Sequence, residues 1–353
     1  MQDRLSSIFS KNSDVRIPAE FEPQESLVFG CGQLVRSYPQ TFVDFVSLLY
    51  ERIPLFGVAA PDIIQLGEIL LGTAGLPKDA VTFLPLRTSS VWLRDYSPFS
   101  ALDRQGNRFL LKFRHGNMKN RDDIGAYDAI HRNFRGVGRD VGITLEGGNL
   151  ISNGAGLAIS SKTIITQNSR SYDMDGIAQV LDKQCGIAQW ACATPLNGER
   201  TGHIDMLATF LAPDLLAVAE CDPREDPNNI SILNGLAEAF EGFAVGAGQM
   251  RVVRVPMPFS GNGDYRSYNN AIFANGLFLV PTYPSLNPKM DRAVLEMYSE
   301  WLPGYEVKGL DCEELSLRGG SLHCITRNIC PNRIARRRGS SLESENAQEI
   351  LPR

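Results

Sequence analysis

The chain contains no run of about 18 apolar residues, although 43% of its 353 residues are hydrophobic. That argues against a transmembrane helix and leaves the apolar residues free to build a core. No Cys-x-x-Cys pair occurs. The seven cysteines stand apart at 31, 185, 192, 221, 312, 324 and 330. An odd, scattered set excludes a disulfide framework and a zinc finger, and a chain of this length needs no such staples. A reducing cytosol is the expected compartment. Positive charge is not in excess: 35 Lys and Arg face 40 Asp and Glu, a formal net charge of -5. No broad basic field for nucleic acid or anionic lipid follows. The opening MQDRLSSIFSKNSDVR lacks the apolar stretch of a signal peptide, so a cytoplasmic protein is expected. Histidine is scarce, with four copies, at 115, 131, 203 and 323. Any imidazole-dependent chemistry must use one of them.

What is present is a recurring alternation. LVFGC (27–31), LFGVAA (55–60) and VTFLPL (81–86) read as buried strands, separated by the helical TFVDFVSLLYERI and PDIIQLGEILLGTAG. Strand-like pieces follow in SVWLRDYSPF, NRFLLKF, LEGGNLIS, GLAIS and TIITQN, then the helical SYDMDGIAQVLDKQCG. A hairpin is expected over HIDMLATFLAPDLLAVAE, with the helical NISILNGLAEAFEGF after it. RVVRVPMP and SYNNAIFANGLFLVPTY are strand-rich, DRAVLEMYSEWL is helical, and YEVKGLD and SLHCITRNI close the pattern. About five rounds of strands plus a helix, each roughly 50–60 residues long, suggest radial repetition of one supersecondary unit. With no Pro/Ser-rich linker, the expectation is a loose arm over 1–15, one domain over 16–335, and a polar disordered tail over 336–353.

Several stretches could carry chemistry. His203 and Asp205 stand two apart in TGHIDMLATF, so in a strand they share one face. Trp92, Arg94 and Tyr96 would share a strand face opposite Asp95. An aspartate among aliphatic neighbours is costly to bury unpaired, so Asp95 either meets an internal arginine or binds a cationic ligand. Glu146 precedes two glycines, which in a strand mark a bulge or a close backbone approach; a simple turn is the plainer reading. Asn269, Asn270 and Asn275 are poor strand formers and either serve a polar site or end a hairpin. Cys324 in GGSLHCIT could be an inert core thiol, a nucleophile that needs a lowered pKa, or a metal ligand with His203 and Asp205. In an extended chain the adjacent His323 would point away from Cys324, which leaves His203 as the better partner.

Taken together and in order, WLRD (92–95), EGGN (146–149), GHID (202–205), SYNN (267–270) and GGSLHCIT (319–326) resemble the agmatine deiminase family, which includes the bacterial-type peptidylarginine deiminases. IPAEFEPQESLVFG (17–30) is also similar to that family's opening, so the resemblance spans about residues 17–331. It implies an α/β pentein fold, a five-bladed propeller of ββαβ-type units about a pseudo-fivefold axis. It further implies a hydrolase of linear amidines that turns a guanidinium into a ureido product plus ammonia with no cofactor and no metal. Cys324 matches the nucleophile, His203 the general acid/base and Glu146 the carboxylate that orients it. Asp95 and Asp205 match the pair gripping guanidinium nitrogens, Asn270 an active-site asparagine, and Trp92 a pocket wall. The chemistry suits these types, because carboxylates bind a planar guanidinium by charge-assisted hydrogen bonds. A nearby cation also favours the thiolate. After EGG, agmatine-specific members carry a stretch like IHVDGEGT where this chain has NLISNGAGLAIS, which leaves the far end of the substrate open. Agmatine (giving N-carbamoylputrescine, with putrescine synthesis as the process served) is expected first and free arginine (giving citrulline) second. Peptidylarginine deimination and amidino transfer are the alternatives within the fold. A papain-like amidase and a non-enzymatic guanidinium-binding protein come from other classes. A small guanidino substrate is the expected partner, neither nucleic acid nor membrane, and a homodimer is compatible with the reading.

Overall fold

A computed structural model describes residues 9–116, 121–258 and 265–333, with the side chains of 121–124 left aside. Five units repeat one connection: an antiparallel strand pair, a crossover helix, and a strand parallel to the second of the pair. In the second unit Phe99–Asp103 pairs antiparallel with Arg108–Arg114, which pairs parallel with Val137–Thr144. The third uses Ile151–Ser152, Leu157–Ser161 and Gln189–Ala193. The fourth uses Ala208–Ala212, Leu215–Glu220 and Arg251–Pro256, and the fifth Ile272–Ala274, Leu277–Thr282 and Glu306–Asp311. The first unit is built from both ends of the described chain. Thr326–Ile329 pairs antiparallel with Ser26–Gly30, which runs parallel to Leu55–Ala59, itself parallel to Thr82–Pro85. This is the pentein ring, closed by its last strand.

Local chemistry sets the crossover helices. Met174–Cys185 is capped by Asp173, which accepts from the Gly176 N–H at 2.8 Å, and stops at Gly186 with φ 74°. The left-handed residue at this position favours glycine. Pro288–Trp301 starts with proline in its first turn behind an Asn287 cap. Each helix buries one apolar stripe on its sheet. The largest core joins the fifth and first units through Phe29, Phe42, Phe45, Phe273, Phe278 and Tyr298, all 2% exposed or less. Burying each such side chain is worth roughly 1.5–3 kcal/mol.

Several expectations are corrected. Arg94 and Asp95 lie on a helical turn, Leu93–Tyr96, not in a strand. TIITQN is the helix Thr163–Asn168. EGGN forms a 3-10 turn over Gly147–Asn149, and Asp205 lies within another, Ile204–Met206. Polar residues at these points would each cost a buried strand its apolar face; a short turn lets them reach inward instead. The arm expected over 1–15 is held from residue 10: Ser10 donates to Asp182, Asp14 pairs with Arg139, and fully buried Val15 pairs with Asp103. Residues 1–8 and the tail 336–353 lie outside the described residues. No helix among the described residues is long and apolar enough to cross a membrane.

Candidate active site

Each unit delivers one chemically equipped segment just before its first strand. These are Trp92–Tyr96, Glu146–Asn149, His203–Asp205, Asn270 and Cys324, which precede the strands beginning at Phe99, Ile151, Ala208, Ile272 and Thr326. The turns pack on one another at one end of the ring. Fivefold repetition thus becomes a convergence of five differently equipped segments.

Glycine permits the close approach. A Cβ on Gly148 would lie 2.6 Å from His203 Nδ1, 2.9 Å from Asp205 Oδ2 and 3.2 Å from Asp95 Oδ1. A Cβ on Gly147 would collide with the Arg94 carbonyl and the Arg327 guanidinium. The turn, the plainer expectation at these glycines, is present, and the close backbone approach that is its alternative occurs with it; the Gly148 N–H also donates to Asp95 Oδ1 at 3.0 Å. On the other side, a Cβ on Gly320 would come within 2.7 Å of the half-buried Trp92 ring and 3.0 Å of Cys324 Sγ.

His203 is 3% exposed. Its Nε2 lies 2.9 Å from Glu146 Oε2 and its Nδ1 3.7 Å from Asp95 Oδ1. Burial opposes a charged ring, but Asp95, Glu146 and Asp205 outweigh it and raise its pKa to about 10. The ring is therefore an imidazolium at neutral pH. Burial would also push Glu146 up, yet His203 holds it ionised, with His115 Nδ1 3.8 Å from its other oxygen. Asp95 is pushed upward, chiefly by burial, with Glu146 and Asp205 adding to it and His203 opposing it.

Cys324 is 6% exposed. Its Sγ accepts from Asn270 Nδ2 at 3.2 Å and donates to Asp205 Oδ2 at 3.6 Å. The Asn270 side-chain oxygen, Oδ1, in turn accepts from the backbone N–H groups of His323 and Cys324 at 3.1 and 3.4 Å. Burial, then the charges of Asp205 and Asp95, push the thiol well above its ordinary range. The resting group is a neutral thiol. Asp205 Oδ1, though buried, has no hydrogen-bond partner among the described residues, a cost of about 1–3 kcal/mol unless something arrives to meet it.

Six of the seven predicted site residues therefore converge: Cys324, His203, Glu146, Asp95, Asp205 and Asn270. Trp92 stands beside the thiol across Gly320. His131 instead stacks on Tyr127, ring centroids 5.8 Å apart. His323 needs correction. It sits with Cys324 on one helical turn, Leu322–Ile325, and does not point out of the site. Its Nδ1 lies 2.7 Å from Asp205 Oδ2 and its Nε2 3.2 Å from Glu20 Oε1. Arg94, 1% exposed, donates to Glu20 at 2.5 Å and to the His323 carbonyl at 2.9 Å. Sequence reasoning missed Glu20, and placed Arg94 only on a strand face with Trp92 and Tyr96, opposite Asp95. The one available signal was the position of Glu20 inside IPAEFEPQESLVFG, a segment noted for its resemblance alone.

Comparison with known proteins agrees with this architecture. A Photobacterium profundum protein provisionally named an agmatine deiminase is 24% identical over 361 residues, covering 90% of this chain and 97% of that one. The solved agmatine deiminase of C. jejuni superposes with a TM-score of 0.78 at 21% identity, over 90% of this chain and 97% of its own. The agmatine deiminase of Enterococcus faecalis gives 0.78 at 18% identity, over 90% and 96%. Residues 16–330 match the Porphyromonas-type peptidyl-arginine deiminases. With that match covering most of its length, the chain belongs to the Porphyromonas-type peptidyl-arginine deiminase family.

Proposed function

We propose that this chain hydrolyses a guanidinium group to a ureido product and ammonia through a covalent intermediate on Cys324. One observation carries the reading: beside a neutral thiol, the buried Asp205 Oδ1 lacks a partner among the described residues while burial, with Glu146 and Asp205 adding to it, pushes the Asp95 carboxyl upward. A hydrogen-bonding cation would meet both groups. A guanidinium is planar, permanently charged and a donor only. Asp95 and Asp205 would grip its nitrogens, and its charge would offset the carboxylates that keep the thiol protonated, so Cys324 releases its proton to solvent as the substrate cation binds. The sulfur then attacks the guanidinium carbon. His203, already protonated, gives its proton to the departing nitrogen, which leaves as ammonia. The now neutral His203 takes a proton from water as the water oxygen bonds the S-bound amidino carbon; the C–S bond then breaks, the hydroxyl proton returns to the sulfur, and the ureido product leaves. Glu146 holds the ring through both steps, and Asn270 bonds the sulfur.

Agmatine is the first substrate candidate, because relatives spanning nine-tenths of the chain carry that name; free arginine is second. The test incubates the protein with agmatine, arginine and a peptide bearing internal arginine, measuring ammonia and ureido product. Turnover of agmatine above the others is expected. No turnover of any at high enzyme concentration overturns the proposal, and turnover of the peptide alone moves the substrate to peptidylarginine.

A further inference from the structure

We infer that His323, clamped between Asp205 and Glu20, is a positioning residue that keeps Asp205 ionised and turned toward the thiol. The inference deepens the deiminase reading and rests on it. A neutral imidazole has one N–H, and one ring bonded to two carboxylates needs two. The distances of 2.7 Å to Asp205 and 3.2 Å to Glu20 therefore describe an imidazolium. Glu20 is not free to take the proton, because Arg94 bonds the same oxygen, Oε1, at 2.5 Å. Arg94 also fixes, through the His323 carbonyl, the turn that carries both His323 and Cys324. That turn sets one residue behind Asp205 and the other in front, so a single carboxylate oxygen, Oδ2, serves both.

The alternatives for holding Asp205 are few. His203 is engaged by Glu146, while Asp95 and the thiol offer no positive charge. The charged groups around His323 are Asp205, Glu20 and Arg94. Arg327 acts on Asp205 and Glu20 from beside Arg94, whose carbonyl it bonds at 2.5 Å. Burial and Arg94 push the His323 pKa down, but Glu20 and Asp205 more than restore it. Asp205 correspondingly stays low despite burial, chiefly through His323. A cavity lined by Glu20, Gln24, Arg327 and Asn328 also has His323 in its wall, so the ion layer separates that cavity from the thiol.

His323→Asn and Glu20→Gln test this, the second keeping an acceptor at Nε2 while removing its charge. Two measurements are made. The first is the pH profile of kcat/KM on the guanidino substrate. Its acid limb should move up by about one unit in His323→Asn and less in Glu20→Gln, with KM raised about tenfold and kcat changed less, since one unit is a tenfold change in ionisation. The second needs no turnover: the rate of Cys324 alkylation by iodoacetamide across pH. Losing the cation makes the surroundings of the thiol more negative, so alkylation at a fixed alkaline pH should slow about tenfold. If both variants lose thermal stability but neither the alkylation profile nor the acid limb moves, His323 is merely structural and the inference fails. If the wild type turns over nothing, the deiminase reading falls and the alkylation result alone decides. Should His323→Asn not fold, Glu20→Gln carries the same two outcomes.

Discussion

Two buried histidines stand on either side of Asp205, and both lie between carboxylates. Around His203 the partners are Glu146 and Asp95; around His323 they are Asp205 and Glu20. The difference lies in the other cations. Behind Asp205, Arg94 bonds Glu20 and Arg327 packs beside it, so the acids there are matched. In front, His203 is the cation hydrogen-bonded within the group of Asp95 and Glu146, and a neutral thiol adds no charge. The same residue type thus makes a closed ion layer in one place and, in the other, faces a buried carboxylate oxygen, Asp205 Oδ1, with no hydrogen-bond partner among the described residues. Residue identity and burial do not separate the two; the balance of charge does.

That contrast can be broken at the front most sharply by Cys324→Ser. It should cost at least about four orders of magnitude in kcat, as nucleophile removal does elsewhere, with the melting temperature nearly unchanged; residual turnover close to wild type would displace Cys324 as nucleophile. Gly148→Ala comes next. Its Cβ would press on His203, Asp205 and Asp95 together, so kcat/KM should fall about 100-fold, in line with the cost of a 1 Å misplacement. Gly319→Ala is the control: φ is 102° there but no atom lies within 4 Å, so backbone strain of about 1–2 kcal/mol is the main expected effect, read as a lower melting temperature.

At the rear, Arg94→Met leaves Glu20 with His323 as its remaining charged partner. Breaking such a buried pair costs about 3–5 kcal/mol, measurable by denaturant unfolding at pH 7. The front has its own pH signature. The folded-state pKa of His203 is raised to about 10 from the ordinary 6.5. Its contribution to stability is therefore full below pH 6.5 and fades as pH climbs through 10. The stability gap between wild type and His203→Gln should narrow over that window; a gap that stays constant would mean the ring is not charged. The smallest effect should come from Asp95→Asn, which removes a carboxylate the fold holds uneasily. A gain of about 0.5–1 kcal/mol in stability, with KM for the guanidino substrate sharply raised, would show a site kept for function at some expense to the fold. A loss of stability would contradict the idea of surplus negative charge.

Much of this was legible in the chain. The roughly fivefold alternation follows from strand and helix periodicities, and the ring repeats it. The residue pairs that carry the front of the site sit in short motifs, and Glu146-Gly-Gly left a turn and a close approach both open, where the structure has both. What failed was strand geometry at the motifs themselves. Alternation placed Asp95 opposite Arg94 and turned His323 away from Cys324, whereas both pairs lie on single helical turns, where neighbours are about 100° apart and can serve two sides of one layer. The rear network had no local signal: Glu20 meets His323 across 303 positions, a distance at which no periodicity speaks.

The closing strand, Thr326–Ile329, has a consequence in time. Synthesis runs from the N-terminus, so Ser26–Gly30 waits for its antiparallel partner until nearly all the described chain has emerged, and the thiol that precedes that partner arrives last of the five site segments. Until then the first unit has an open edge, a hazard for unwanted pairing, and the acids of the front have no thiol beside them. The event that seals the edge is the same event that brings the thiol to the acids.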